Sequence, residues 1–217
     1  MRDYDRRGSG MDVAIVDYSM GNLRSVANAL EAVGASPRIT TRPDELSRAD
    51  AIVLPGVGAF ADGMRNLKQR GFVEELRTQV VERRKPVLGL CLGMQLLAER
   101  GTEHGTVEGL GFVPGDVVRM PSNGVRVPHI GWNDVRFTRT DGLYDGLGEA
   151  QDFYFVHSYT LDPADESLAS GVCVHGDEFV ASIEDGNVFG TQFHPEKSQS
   201  SGLTVLRNFM RACSSTV

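Results

Sequence analysis

The chain predicts a single α/β domain built on a central, mostly parallel sheet flanked by helices, with antiparallel strands added in its second half. Short continuous apolar runs at 13–16, 51–54 and 86–90 alternate with stretches of helical apolar spacing. That is the signature of strands buried on both faces and joined by covering helices. After Arg100 the texture changes to glycine, proline and short alternating segments. At 217 residues the chain fits one domain with a core large enough to need no staples.

Residues 1–10 are charged and contain Gly and Ser without an apolar segment, so they predict a flexible tail rather than a signal peptide, with the folded domain over 11–213. The run 13–16 is the first central strand. Residues 22–33 follow as a helix, with Leu23, Val26, Ala27, Leu30 and Val33 on one face and Gly34 as its stop. Residues 37–40 form a weaker strand, 43–48 a short helix and 51–54 a third strand. The stretch 63–84 holds two helical segments broken near Gly71. A strand then leads to Cys91, and 92–99 carries helical apolar spacing. Beyond Arg100, strands are expected at 116–119, 132–137, 153–159, 171–174, 179–183 and 188–193, the antiparallel ones joining the core sheet. A closing helix over 198–213 places Leu203, Leu206, Phe209 and Met210 on one stripe.

Two motifs carry chemistry. In Gly89-Leu90-Cys91-Leu92-Gly93 a cysteine sits at a sharp turn from a buried strand into a helix. A Cβ on either flank would crowd that turn. A thiol at a helix N-terminus is favoured as thiolate by the oriented N–H groups. A buried structural cysteine is the competing reading of that string by itself. In Phe193-His194-Pro195-Glu196 the imidazole and carboxylate lie two residues apart, and an extended link through Pro195 would put both on one face. A carboxylate beside the imidazole fixes its tautomer and stabilises the imidazolium formed when it takes the thiol proton. Ligands of open α/β sheets bind at the carboxyl ends of the strands. Cys91, His194 and the loop Pro55-Gly56-Val57-Gly58 each follow a strand, so three distant segments converge on one edge. The glycines of that loop would let N–H groups turn toward an oxyanion.

Composition removes other classes. The net charge of −7 and the lack of a basic stripe argue against nucleic-acid or membrane-surface binding. No apolar run approaches spanning length. Three scattered cysteines without a Cys-x-x-Cys pair fit neither a zinc site nor a disulfide scaffold, and they suit a reducing cytoplasm. With no Walker loop, dinucleotide fingerprint or metal cluster, no cofactor is expected.

With these residues the chain resembles the class I glutamine amidotransferases, whose signature joins Gly-x-Cys-x-Gly to His-Pro-Glu. Within them it is most similar to the glutaminase subunits of imidazole glycerol phosphate synthase. The strings that carry this are Asp17-Tyr18-Ser19-Met20-Gly21-Asn22-Leu23, Pro128-His129-Ile130-Gly131-Trp132-Asn133, Phe153-Tyr154-Phe155-Val156-His157-Ser158-Tyr159 and Phe193-His194-Pro195-Glu196-Lys197-Ser198. Ser19 stands where that family usually has glycine. The resemblance implies a flavodoxin-like sheet and a triad of Cys91, His194 and Glu196. It implies an oxyanion site at Gly56, Val57 and Leu92, and L-glutamine held by Gly58, Gln95, Ser158 and Tyr159. It also implies a heterodimer with a (β/α)8 cyclase subunit that uses the ammonia in histidine biosynthesis, met through Asn22, Trp132 and Tyr154. His157 is open between ligand contact and strand histidine. The alternatives are the amidotransferase subunits of anthranilate, aminodeoxychorismate, guanylate or pyridoxal phosphate synthesis, another cysteine hydrolase such as a γ-glutamyl hydrolase, or a non-catalytic binding module.

Overall fold

The computed structural model describes residues 10–214, so the expected tail, Gly10 apart, lies outside the described residues. The chain runs through β1 (Asp12–Val16), α1 (Leu23–Ala32), β2 (Ser36–Thr40), β3 (Ala51–Gly56), α2 (Phe60–Gln69), α3 (Phe72–Arg77), β4 (Val87–Cys91) and α4 (Leu92–Leu96). It continues through β5 (Ala98–Gly101), β6 (Val107–Glu108), β7 (Val113–Arg119), β8 (His129–Phe137), β9 (Ala150–His157) and β10 (Tyr159–Pro163). β11 (Ala169–His175), β12 (Asp177–Asp185), β13 (Val188–Thr191) and α5 (Gln199–Ser214) complete it.

Nine strands form the main sheet in the order β2-β1-β3-β4-β13-β12-β11-β8-β9. The first five are mutually parallel and the other four extend the sheet antiparallel. Alternation along the parallel strands explains their unbroken apolar runs. Val13, Ile15, Ala51, Val53, Leu88 and Leu90 face the layer of α1 and α5, where Leu30, Leu206 and Phe209 meet them. Ala14, Val16, Ile52, Leu54 and Val87 face the opposite layer, with Leu67, Leu76 and Leu96. Both faces are buried, and each fully buried Leu, Ile or Val contributes about 1.5–3 kcal/mol. Asn22 starts α1 by accepting a hydrogen bond from the Ser25 N–H, and Gly34 at φ +90° ends it.

The structure corrects four expectations. The helix after Cys91 stops at Leu96, and 98–101 is a strand that opens a second sheet of order β10-β7-β5-β6. The strand expected at 116–119 belongs to that second sheet instead of extending the first, paired there with 159–163, where beyond Tyr159 no strand was expected. The segment expected as one strand at 153–159 is therefore two, exchanging sheets at Ser158. Pro55 and Gly56 are not loop but the last rungs of β3, opposite Leu90 and Cys91. Among the described residues no helix is long and apolar enough to cross a membrane.

Candidate active site

Cys91 is the last residue of β4 and caps α4 at φ 53°, ψ −109°, a backbone conformation that non-glycine residues rarely adopt. Its neighbours in sequence make the turn possible. A Cβ on Gly89 would lie 2.6 Å from the Met94 nitrogen, and one on Gly93 would run into the Leu54 carbonyl oxygen. The glycines are thus required by packing, which lets α4 lie directly on β3 and β4. Cys91 itself is 5% exposed.

His194 Nδ1 lies 2.8 Å from Glu196 Oε1, and both side chains are almost fully buried. The link is not extended as expected. Residues Pro195–Lys197 form one 3-10 turn with the proline at its first position, where its missing N–H is not needed. The turn brings the carboxylate round to the ring. The His194 N–H donates to the Tyr154 carbonyl at 2.9 Å, which ties this segment to β9. Burial draws the His194 imidazole down, but hydrogen bonding to Cys91 and Glu196 and their charges outweigh it, lifting it from 6.5 to about 9. Its Nε2 is buried without a hydrogen bond of ordinary geometry, so the contact with the cysteine is loose. Glu196 Oε2 is likewise unpartnered.

Cys91 opens onto a cavity of about 240 Å³ lined by Val57, Gly58, Leu92, Gln95, Ser158 and Tyr159. The cavity also touches Glu103, Pro128, Val156 and His157. Gly56 stands just behind, packed so closely on Tyr18 and Leu92 that a side chain there would strike the Tyr18 hydroxyl. Gly58 takes φ +111° and the Val57 side chain is exposed. Gln95 is 6% exposed and donates through Nε2 to the Tyr159 carbonyl and to Gln192 Oε1, both at 2.9 Å. His157 is buried, with Nδ1 2.9 Å from the same carbonyl, and burial pushes it down to about 3.

Trp132, Tyr154 and Asn22 stand outside the cavity. Trp132 pairs across strands with Tyr154, edge to face at 6.2 Å, and is half exposed on the outer face of β8 with Ile130 and Val174. It is not a core aromatic. Asn22 is exposed at the start of α1.

Glu103, Val156 and Gln192 were missed in the sequence. Gln192 is fully buried with Nε2 3.7 Å from Cys91 Sγ, and the two-residue spacing that joined His194 to Glu196 also joins it to His194. Glu103 lies in a loop without a motif, and its Oε2 accepts from the Phe60 N–H at 2.9 Å.

A family model for class-I glutamine amidotransferases matches residues 14–213. The imidazole glycerol phosphate synthase subunit HisH of Moorella thermoacetica is 51% identical over 197 residues, covering 91% of this chain and 93% of that one. HisH 1 of Campylobacter jejuni is 48% identical over 200 residues, with 92% and 99% covered. HisH of Aquifex aeolicus is 49% identical over 203 residues, with 93% and 97% covered. Among solved structures, a glutamine amidotransferase superposes with a TM-score of 0.74 at 20% identity over 93% of this chain and 98% of its own. PurLQS from Thermotoga maritima gives 0.72 at 22% identity over 95% and 99%. Those structures support the fold alone, while the curated sequences set the family: this chain belongs to the class I glutamine amidotransferases and, within them, to the HisH subunits of imidazole glycerol phosphate synthase.

Proposed function

We propose that this chain is the glutamine-hydrolysing subunit of an imidazole glycerol phosphate synthase, with Cys91, His194 and Glu196 as its triad. The observation that carries the site assignment is the cavity in which Cys91 meets Val57, Leu92, Gln95, Ser158 and Tyr159. Its volume is below that of drug-sized pockets and suits an amino acid. Cys91 sulfur attacks the carboxamide carbon of glutamine. The N–H of Leu92, at the start of α4 and without an intrahelical partner, and that of Val57 receive the oxyanion. As the C–N bond breaks, His194 gives its proton to the departing ammonia. Water then attacks the thioester with His194 as base, the C–S bond breaks, and glutamate leaves. Glu196 holds the ring through Nδ1. Glu103, the one carboxylate lining the cavity, suits the ammonium of the substrate.

The ammonia serves an acceptor reaction on a (β/α)8 cyclase subunit. The exposed Ile130, Trp132 and Val174 on the outer sheet face, with Tyr154 beside them, support docking there. Three unpaired cysteines suit work in a reducing cytoplasm. The test is Cys91→Ala in the assembled synthase. Glutamine-dependent product formation is expected to vanish while ammonia-dependent formation persists, and equal loss of both would refute the ammonia-donor role.

A further inference from the structure

The hydrogen bonds behind the cavity form one chain whose polarity is set from both ends. The Tyr159 carbonyl can only accept, so the two groups 2.9 Å from it must both donate: His157 through Nδ1–H and Gln95 through its amide nitrogen. That nitrogen also lies 2.9 Å from Gln192 Oε1, so both its hydrogens are used and Gln192 faces it with oxygen. The Gln192 nitrogen is thereby left facing Cys91 Sγ, 3.7 Å away. From the far end, Asn133 accepts from the Asp134 N–H at 2.9 Å and donates to the Val174 carbonyl at 3.0 Å. Its nitrogen therefore also donates to His129 Nε2 at 3.1 Å. His129 then donates through Nδ1 to His157 Nε2 at 3.0 Å, which returns the hydrogen of His157 to Nδ1. The two anchors demand the same assignment.

We propose that Gln192 is a further catalytic residue of this glutaminase site, its amide N–H donating to the Cys91 sulfur and favouring the thiolate, with Gln95, Tyr159, His157 and His129 as the positioning residues that fix its orientation. The inference rests on the glutaminase reading. A thiol at Cys91 directs its hydrogen toward the Val156 carbonyl, 3.9 Å away. On ionisation that contact turns from donor–acceptor to repulsion between sulfur and oxygen. The Gln192 N–H contact strengthens, because hydrogen bonds to an ionised acceptor are about twice as strong as neutral ones. The donor thus acts selectively on the reactive form. All the side chains of the relay between Gln192 and His129 are buried, Gln192 at 0% exposed, so none can turn round without leaving a buried polar group unmatched. Burial holds His129 down to about 4 and His157 down to about 3, so both rings are neutral, as the chain requires.

The titratable groups around the thiol are His194 and Glu196 from the turn after β13, Tyr18 from the loop after β1, His157 from β9, and Glu103 from the loop after β5. All remain in place in Gln192→Leu and Gln192→Met, each of which removes the donor without adding a titratable group. The rate of Cys91 alkylation by iodoacetamide is measured against pH on the full chain, and kcat and KM for glutamine on the assembled synthase. Both variants are expected to lower kcat by about tenfold with KM within about twofold, and to move the alkylation profile up by about one pH unit. Parent-like kcat and profile in folded variants would overturn the role. Cys91→Ala separates the two failures: activity retained there defeats the glutaminase reading itself, whereas a dead Cys91→Ala beside fully active Gln192 variants defeats only the donor. Should neither variant fold, nitrogen NMR of the parent decides. Neutral Nδ1–H tautomers at both His129 and His157 are expected, and an Nε2–H form at either would overturn the assignment.

Discussion

Lowering the pH from 6.5 to about 5 isolates the His129–His157 pair energetically. In the unfolded chain His157 titrates near 6.5, while burial holds it at about 3 in the fold, opposed by its hydrogen bond to the Tyr159 carbonyl and assisted to a lesser degree by the neighbouring histidines. Between those values the unfolded state binds a proton that the folded state refuses, so stability falls as pH falls. At about pH 5 the loss relative to pH 6.5 is set by the unfolded value alone, because the folded ring is still neutral. It amounts to about 1.5–2 kcal/mol for His157. His129, held at about 4, adds in the same direction. His194 behaves oppositely: raised to about 9, its contribution is complete below 6.5 and is lost as pH rises from 6.5 to 9. It is therefore nearly flat across the acid window, and the alkaline limb belongs to it. Glu184, raised by burial, is common to parent and variant and cancels in their comparison. Urea unfolding of the chain at several pH values down to about 5, beside His157→Gln, reads the effect. The variant should lose at least half of the acid slope. An unchanged slope would refute the buried neutral pair.

Two further outcomes follow from geometry. Glu103→Gln should raise KM for glutamine about tenfold with kcat within about threefold in the assembled synthase, since it exchanges a charged acceptor for a neutral one. An unchanged KM would place the ammonium elsewhere. At ordinary positions glycine is about 0.5–1 kcal/mol worse than alanine. At Cys91 the order should reverse, with Cys91→Gly about 1 kcal/mol more stable than Cys91→Ala in thermal or urea unfolding, because only glycine relieves the strain at φ 53°. Alanine being the more stable of the two would show that the elbow is not strained.

The parallel half was legible because its strands are buried on both faces and read as unbroken apolar runs. Cys91 at a strand-to-helix elbow and the His194–Glu196 contact were legible because the glycine spacing and the two-residue spacing nominate them together. What sequence pattern could not deliver was the exchange of sheets. The alternation through Phe153, Phe155 and His157 continues past Ser158, yet β10 pairs with β7, since Tyr159 faces Arg119 across a different ladder. β5 carries no strand signature in Ala98-Glu99-Arg100-Gly101, and its pairing with β7 overrides the helical spacing read there. Glu103 reaches the cavity from a loop of that second sheet and Val156 from the far edge strand of the first, so no local pattern could place them. Ser19 adopts φ 68°, where the family's glycine would be unstrained, and Arg70 bonds to its hydroxyl. The departure from the family is accommodated by a contact that the sequence does not announce.

The distribution of unmet hydrogen bonds supports the proposed site without reference to any motif. Among the described residues six buried side-chain atoms lack a partner, and three belong to His194, Glu196 and Tyr18. Tyr18 lies close enough to Cys91 that the cysteine helps burial to raise its phenol pKa, and its hydroxyl sits against Gly56 at the end of β3. Each such atom costs about 1–3 kcal/mol when left unmatched. The strained backbone of Cys91 lies among them. Orphaned polar atoms thus gather after β1 and β13, beside the strained end of β4, whereas the relay from His129 to Gln192 a few residues away is joined by hydrogen bonds throughout. The contrast separates two jobs. The relay holds its groups still, whereas the groups around the sulfur keep hydrogen-bonding capacity where the proposed reaction takes place.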